Sequence, residues 1–201
     1  TSSNVPFQIN ATATSFGGQS TVGVFGDITS FAAGVGGGIT FSGRYNSSSS
    51  QVGFAAIRGI KENATDGDHD GALTFSSRPD QGNMTERMRI DSSGRLLLGT
   101  TTEGAAGADE FTIAGTGNTG FTIRSGNTSE GNIFFSDGTS GGDEYRGVIR
   151  YAHNGNQFEF FTDGSRQLIL DSSGRLLIGI DSSIGGIASH LQVVESDGGK
   201  L

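Results

Sequence analysis

Three features predict an all-β protein of repeated meander units: a long internal match, short alternating apolar segments, and a turn signal every eight to ten residues. Residues 89–99 read Arg-Ile-Asp-Ser-Ser-Gly-Arg-Leu-Leu-Leu-Gly, and residues 169–179, eighty positions later, read Ile-Leu-Asp-Ser-Ser-Gly-Arg-Leu-Leu-Ile-Gly. The match extends both ways. Phe111-Thr112-Ile113 and Leu191-Gln192-Val193 each begin twenty residues after the turn aspartate. Upstream, Ile39-Thr40-Phe41-Ser42 aligns with Ile133-Phe134-Phe135-Ser136, and Ile57-Arg58 with Ile149-Arg150. Phe7-Gln8-Ile9 occupies the opening of the first unit. This divides the chain into units at 1–106 and 107–186, with the start of a third at 187–201.

The elements follow in order. The first unit offers strands at 39–42, 52–60, 72–76, 86–90 and 96–98. In the second, residues 145–151 precede Asn154-Gly155 and 157–161 follow; Asn-Gly between alternating segments is a strong hairpin signal. Asp163-Gly164 then leads into 167–170, and Asp171-Ser-Ser-Gly174 into 176–178, a four-stranded meander. In each Asp-Ser-Ser-Gly turn, Asp91 or Asp171 is placed to accept backbone N–H bonds, and Gly94 or Gly174 to take the left-handed conformation. No segment carries sustained helical spacing with caps, so almost no helix is expected.

Composition narrows the function. Of 201 residues, 35 are Gly, 25 Ser and 19 Thr, whereas Leu, Ile, Val and Phe together number 47, a thin supply for a large core. The glycines lack a three-residue period and only two prolines occur, which excludes collagen. No apolar stretch approaches the ~20 residues of a membrane helix, so membrane insertion is not expected. Thirteen Lys and Arg against 21 Asp and Glu give a net charge of -8, which argues against a nucleic-acid partner. Without cysteine there is no disulfide framework or thiol chemistry. The chain opens without an initiator Met and closes inside a unit, and reads as a piece of something longer. Gly-rich meanders leave unpaired edges and a thin core, and close approach of strands from several copies is the expected remedy: a parallel homotrimer around a shared apolar axis.

Candidate sites are few. Asp66-Gly67-Asp68-His69-Asp70-Gly71 has the alternating carboxylates of a calcium loop, but its twelfth position is Ser77 rather than Glu; a solvated loop is the plainer reading. No cofactor is expected. His69, His153 and His190 fall in or beside loops without ligand spacing. Asp143, Glu144 and Glu159 are the carboxylates from which a glycan-cleaving pair would be drawn. Glu159 alternates with Phe158 and Phe160, which places it on the solvent side of a strand and the phenylalanines, with Phe134 and Phe135, in the core. Tyr45, Tyr145 and Tyr151, taken as exposed, are the candidates for sugar contact. Gly198-Gly199-Lys200 lacks the spacing and the Ser or Thr of a phosphate-binding loop. No enzymatic activity is expected.

Residues 84–100, Met-Thr-Glu-Arg-Met-Arg-Ile-Asp-Ser-Ser-Gly-Arg-Leu-Leu-Leu-Gly-Thr, resemble the repeat of tail-fibre proteins of tailed bacteriophages, particularly marine ones. That family's usual continuation after the turn is closer to Gly-Asn-Val-Gly-Ile-Gly-Thr; here Gly94 and the strand are kept and Arg95-Leu96-Leu97-Leu98 replaces the rest. Residues 57–65 followed by 71–75, and Phe160-Phe161-Thr162-Asp163-Gly164, also resemble parts of that repeat. The resemblance implies a trimeric β-rich shaft on the virion, outside the cell. Its partners would be other tail proteins and a bacterial surface receptor, such as a glycan. The receptor-binding tip of such fibres usually lies distal to the repeats, so the resemblance implies the architecture more strongly than it implies glycan binding, and leaves both a spacer and a receptor-binding role open. The alternatives are a bacterial surface adhesin with glycan-binding repeats and a capsule-depolymerising tailspike.

Overall fold

A computed structural model describes residues 14–16, 19–21, 24–179 and 191–193. The chain forms two compact units, Thr1–Gly120 and Phe121–Leu201. The first contains a two-stranded antiparallel ribbon, β1 (Thr14–Phe16) and β2 (Gln19–Thr21). Its main sheet runs β3 (Gly38–Arg44), β4 (Gln51–Lys61), β5 (Gly71–Ser77), β6 (Thr85–Ile90), β7 (Leu96–Leu98) and β8 (Phe111–Ile113), each strand beside the next. The second unit repeats this order with β9 (Glu130–Phe135), β10 (Gly147–Ala152), β11 (Gln157–Thr162), β12 (Ser165–Leu170), β13 (Leu176–Ile178) and β14 (Leu191–Val193). Among the described residues the only helical segment is a 3₁₀ turn, Gly141–Tyr145, which takes the start of the expected 145–151 strand.

Each sheet has six strands rather than four, and the added last strand differs in kind. β7 pairs with β8 in parallel, as β13 does with β14, whereas all other neighbours are antiparallel. Parallel neighbours need a crossover of about a dozen residues, and 99–110 supplies it in the first unit. Consequently Phe111–Ile113, placed by sequence at the opening of the second unit, is the closing strand of the first sheet. Leu191–Val193, assigned to a third unit, likewise lies on the edge of the second sheet. The first-unit opening at Phe7-Gln8-Ile9, His190 and the Gly198–Lys200 segment lie outside the described residues.

Turn chemistry sets the register. Asp163 and Gly164 both have positive φ (48° and 72°), forming the two-residue turn that pairs Thr162 with Ser165. The Asn154-Gly155 hairpin differs from expectation: neither residue is left-handed, and Asn156 is (φ 48°) after a turn closed by Asn156 N–H to the His153 carbonyl (3.3 Å). Both arrangements reverse the chain with the right-handed twist of a hairpin; the second moves the left-handed residue past the tip.

The register sorts side chains into two unlike faces. On one face of the first sheet, Ile39, Ile57, Phe75, Met88, Leu98 and Ile113 form a continuous cross-strand row. The matching row of the second sheet is Ile133, Ile149, Phe160, Leu168 and Ile178. Beside them run Leu73, Ile90, Leu96 and Phe111, and Tyr151, Phe158, Leu170, Leu176 and Leu191. None of these side chains is buried. The opposite face carries Arg58, Thr74, Arg89 and Leu97, and Asn132, Arg150, Glu159, Ile169 and Leu177. Every buried strand residue among those described lies there: Ala56, Ala72, Thr74, Leu97, Val148, Glu159, Ile169 and Leu177.

Two sequence readings are thereby corrected. Glu159 is 1 % exposed rather than on the solvent side, while Phe158 and Phe160 are 45 % and 40 % exposed rather than in the core. Phe134 and Phe135 are also exposed. Alternation gives the period but not which face is covered. In the first unit the crossover meets the polar face at its β8 edge: Gly104 N–H donates to Thr112 Oγ1 (2.9 Å), and Arg95 reaches Asp109 (3.1 Å).

Candidate functional site

The principal feature is the apolar face present in each unit. Apolar patches on soluble monomers are usually small, and a contiguous six-strand surface of Ile, Leu, Phe and Met marks an interaction site. Burying a half-exposed Phe, Leu or Ile contributes roughly 1 kcal/mol, so a dozen such side chains supply a large association energy. Tyr151 belongs here: it is half-buried rather than exposed, with its ring edge-on to Phe158 (4.8 Å) and to His153 (4.9 Å).

The opposite face of the second unit centres on Glu159. Its carboxylate accepts hydrogen bonds from Arg150 Nε (2.5 Å), Arg166 Nη1 (2.5 Å) and Gln157 Nε2 (2.6 Å), and also pairs with Arg150 Nη2. The β10–β11 register places Arg150 directly opposite Glu159. Burial by itself would raise the Glu159 pKa, but the bonds from Arg166, Gln157 and Arg150 outweigh it and hold the group below its ordinary value. The Arg150 guanidinium also lies over the Phe161 ring (4.4 Å) and pairs with Glu130 (3.2 Å). In the first unit Thr74 takes the position of Glu159, and the charges lie one strand over: Arg89 bonds Glu86 (2.6 and 2.9 Å) and approaches Glu62 (3.4 Å).

The two Asp-Ser-Ser-Gly turns share one geometry. Asp91 Oδ1 accepts from Ser93 N–H (3.0 Å) and Arg95 N–H (2.9 Å), and Oδ2 from Arg95 Nε (2.7 Å). Asp171 makes the same bonds with Ser173 and Arg175 at 2.9, 2.9 and 2.7 Å. Gly94 and Gly174 have φ of 83° and 75°. Burial works to raise both aspartate pKa values, and the bonds from Arg95 and Ser93, or Arg175 and Ser173, bring them below the ordinary value. The arginine of the motif therefore braces its own turn, a role the sequence reading left unassigned although the four-residue spacing in Asp-x-x-x-Arg signals it.

The remaining candidates are dispersed. Tyr45 is exposed and borders a cleft of about 880 Å³ with Phe54, Arg78 and Gln81 in the first unit. Tyr145 ends the 3₁₀ turn of the second unit. In the 66–70 loop, Asp68 accepts from Asp70 N–H (2.8 Å) and Asn63 Nδ2 (2.9 Å), and these bonds lower its pKa. Among the described residues no three of His, Asp and Glu converge as a metal site. His69 is exposed, and His153 is half-buried against Tyr151. Asp143 pairs with Arg146, Glu144 is exposed, and Glu159 is enclosed by guanidinium groups on the sheet. With its lone pairs occupied and its pKa lowered, Glu159 has no proton to donate at neutral pH.

No protein-family model and no curated protein sequence matches this chain. Among solved structures it is similar to the carboxy-terminal domain of the bacteriophage T5 L-shaped tail fibre with its intramolecular chaperone domain, at 12 % identity and a TM-score of 0.39, over 88 % of this chain and 64 % of that one. A second structure, the carboxy-terminal domain of the same fibre, aligns at 12 % identity and a TM-score of 0.30, over 92 % of this chain and 91 % of that one. The chain thus spans 64 % of the length of the first of these.

Proposed function

We propose that this chain is a segment of a phage tail fibre: a non-enzymatic, β-rich structural shaft in which three parallel copies bury their apolar sheet faces together. The observation that carries the reading is the uncovered apolar face, built from matched rows in both units. The resemblance of the Asp-Ser-Ser-Gly repeats to tail-fibre repeats supports the same reading. In such a shaft the mechanism is mechanical and multivalent. Trimerisation holds three copies in parallel, so weak contacts with a bacterial surface reinforce one another through effective concentration. The net charge of -8 keeps neighbouring fibres apart in solution.

The test is the solution mass by light scattering, with and without EDTA. The expected result is three times the 20.7 kDa chain mass in both conditions. A monomer at micromolar concentration would overturn the shared interior and favour a single-chain adhesin module. A mass that falls on adding EDTA would assign a cation to the assembly and return attention to Asp66, Asp68 and Asp70.

A further inference from the structure

We infer that copies of the first unit interlock: the 26–36 loop of one copy seats Ile28 and Phe31 in a cleft of the next copy, between Tyr45, Val52, Phe54 and Pro79. Ile28 is 100 % exposed, and Val24, Phe25 and Phe31, which flank it in sequence, are exposed as well. Single exposed apolar residues are ordinary, but a run of them on one loop marks a contact. The loop has a fixed shape. Asp27 Oδ1 accepts from Thr29 N–H (3.0 Å) and Thr29 Oγ1 (2.8 Å), and Oδ2 from Gly36 N–H (3.4 Å). Arg58 Nη2 donates to the Gly34 carbonyl (3.1 Å), and Gly34 N–H to the Lys61 carbonyl (2.8 Å). A loop already ordered gives up little conformational freedom on docking.

The cleft holds about 880 Å³, enough for a pair of apolar side chains. The 78–84 connection forms one wall and is tied to β4 by Arg78, whose N–H donates to the Phe54 carbonyl (2.9 Å) and Nε to the Gly53 carbonyl (2.7 Å). Its Nη1 holds the Gly82 carbonyl (2.6 Å). A copy cannot fill its own cleft. The loop is anchored where residues 34–37 bond Gly59 and Lys61, whereas the cleft lies at the Gln51–Phe54 end of the same strand. Gly59 and Val52 are about 23 Å apart along β4, at ~3.3 Å per residue. The two features also occur together. In the first unit residues 26–36 link Phe25 to Gly37, where an added Cβ would meet the Phe25 carbonyl oxygen at 1.5 Å. In the second unit the equivalent Ile123 and Gly131 are joined by the shorter 124–130, and β11 and β12 by Asp163-Gly164 alone. Loop and cleft wall are thus both additions to one unit, as expected of parts that fit each other. Unlike patches at opposite ends of a sheet join copies head to tail, and a three-fold axis closes such contacts into a ring.

The inference rests on the proposed shaft for the presence of neighbouring copies, so the experiment reads mass and cross-linking separately. The chain has no cysteine, and introduced thiols therefore react without background. The full chain carrying Ile28→Cys together with Asp80→Cys, on the cleft wall, is treated with a short bis-maleimide and run on a denaturing gel beside each single variant. The double variant should give a covalent three-chain species, and each single variant one chain only. Light scattering of the same samples gives the mass before cross-linking. Ile28→Asp should raise the concentration at which the trimer dissociates at least tenfold, without loss of β-sheet circular dichroism, because that side chain is fully exposed. A trimer whose double variant yields no link between chains, or whose single variant links to its like, overturns the interlock and leaves the shaft. So does an Ile28→Asp trimer that dissociates like the parent. A monomer overturns the shaft, and the interlock with it.

Discussion

Replacing Glu159 with Gln tests the central electrostatic feature of the second unit. The side chain is 1 % exposed and receives two arginines and a glutamine, at 2.5–2.6 Å where Arg150 Nε, Arg166 Nη1 and Gln157 Nε2 donate. Gln has nearly the same volume, so no cavity opens; one carboxylate oxygen becomes an NH₂ that meets guanidinium donors head-on. Removing one partner of a buried charge pair costs about 3–5 kcal/mol. Arg150 and Arg166 keep 25 % and 24 % of their side-chain surface exposed, so they regain some hydration. That lowers the expected loss to about 2–3 kcal/mol. For a domain of this size the melting temperature falls by roughly 10–20 °C. Circular dichroism melts at pH 7 and fixed concentration measure it, with Asp143→Asn as control. The Asp143–Arg146 pair is exposed on both sides, and its loss should leave the melt unchanged. If the two variants melt together with the parent, Glu159 is not a buried charge on which the sheet depends.

Acid should destabilise the parent protein. Glu159, Asp91 and Asp171 all have folded pKa values below their ordinary values of 4.5, 3.8 and 3.8, so their contribution is complete above those values and is lost as pH falls through the lowered ones. Melts between pH 6 and pH 2 should show this decline, and Glu159→Gln should flatten it. Asp91→Ala removes two backbone hydrogen bonds of about 1 kcal/mol each and the Arg95 brace, whereas Gly94→Ala should cost only about 1 kcal/mol. Its added Cβ meets nothing within 4 Å, and the penalty is confined to the positive φ; chemical denaturation of the two variants should rank them in that order. Phe160→Asp, in the middle of the apolar row, should reduce the light-scattering mass to that of one chain without loss of β-sheet circular dichroism. An undiminished mass would place the contact between copies elsewhere.

Much of the fold was legible along the chain. The 96–98 strand, the Asp-Ser-Ser-Gly turns and the alternation of 157–161 depend on neighbours within a few residues, where turn chemistry and period-two patterning act. The Arg150–Glu159 pairing was within reach too, since counting outward from the hairpin at 154–156 sets these residues opposite each other. Tyr145 and Phe161 meeting across a cavity was not, because it depends on how residues 136–146 fold back toward the sheet.

Sequence alone determined most of the antiparallel strands and turns of the two main sheets, and the period-two alternation along them, because each follows from local propensity and periodicity. Tertiary structure decided which side is covered. The crossover at 99–110 meets the Leu97 face at the β8 edge, where Gly104 bonds Thr112; Thr74 and Leu97 are buried on that face, and Ile57, Leu73 and Phe111 are left in the open on the other. In the second unit the same sorting buries Glu159 and exposes Phe160. A strand pattern is symmetric between its two faces until a non-local segment lies on one of them, and the position of that segment is not written in the strand.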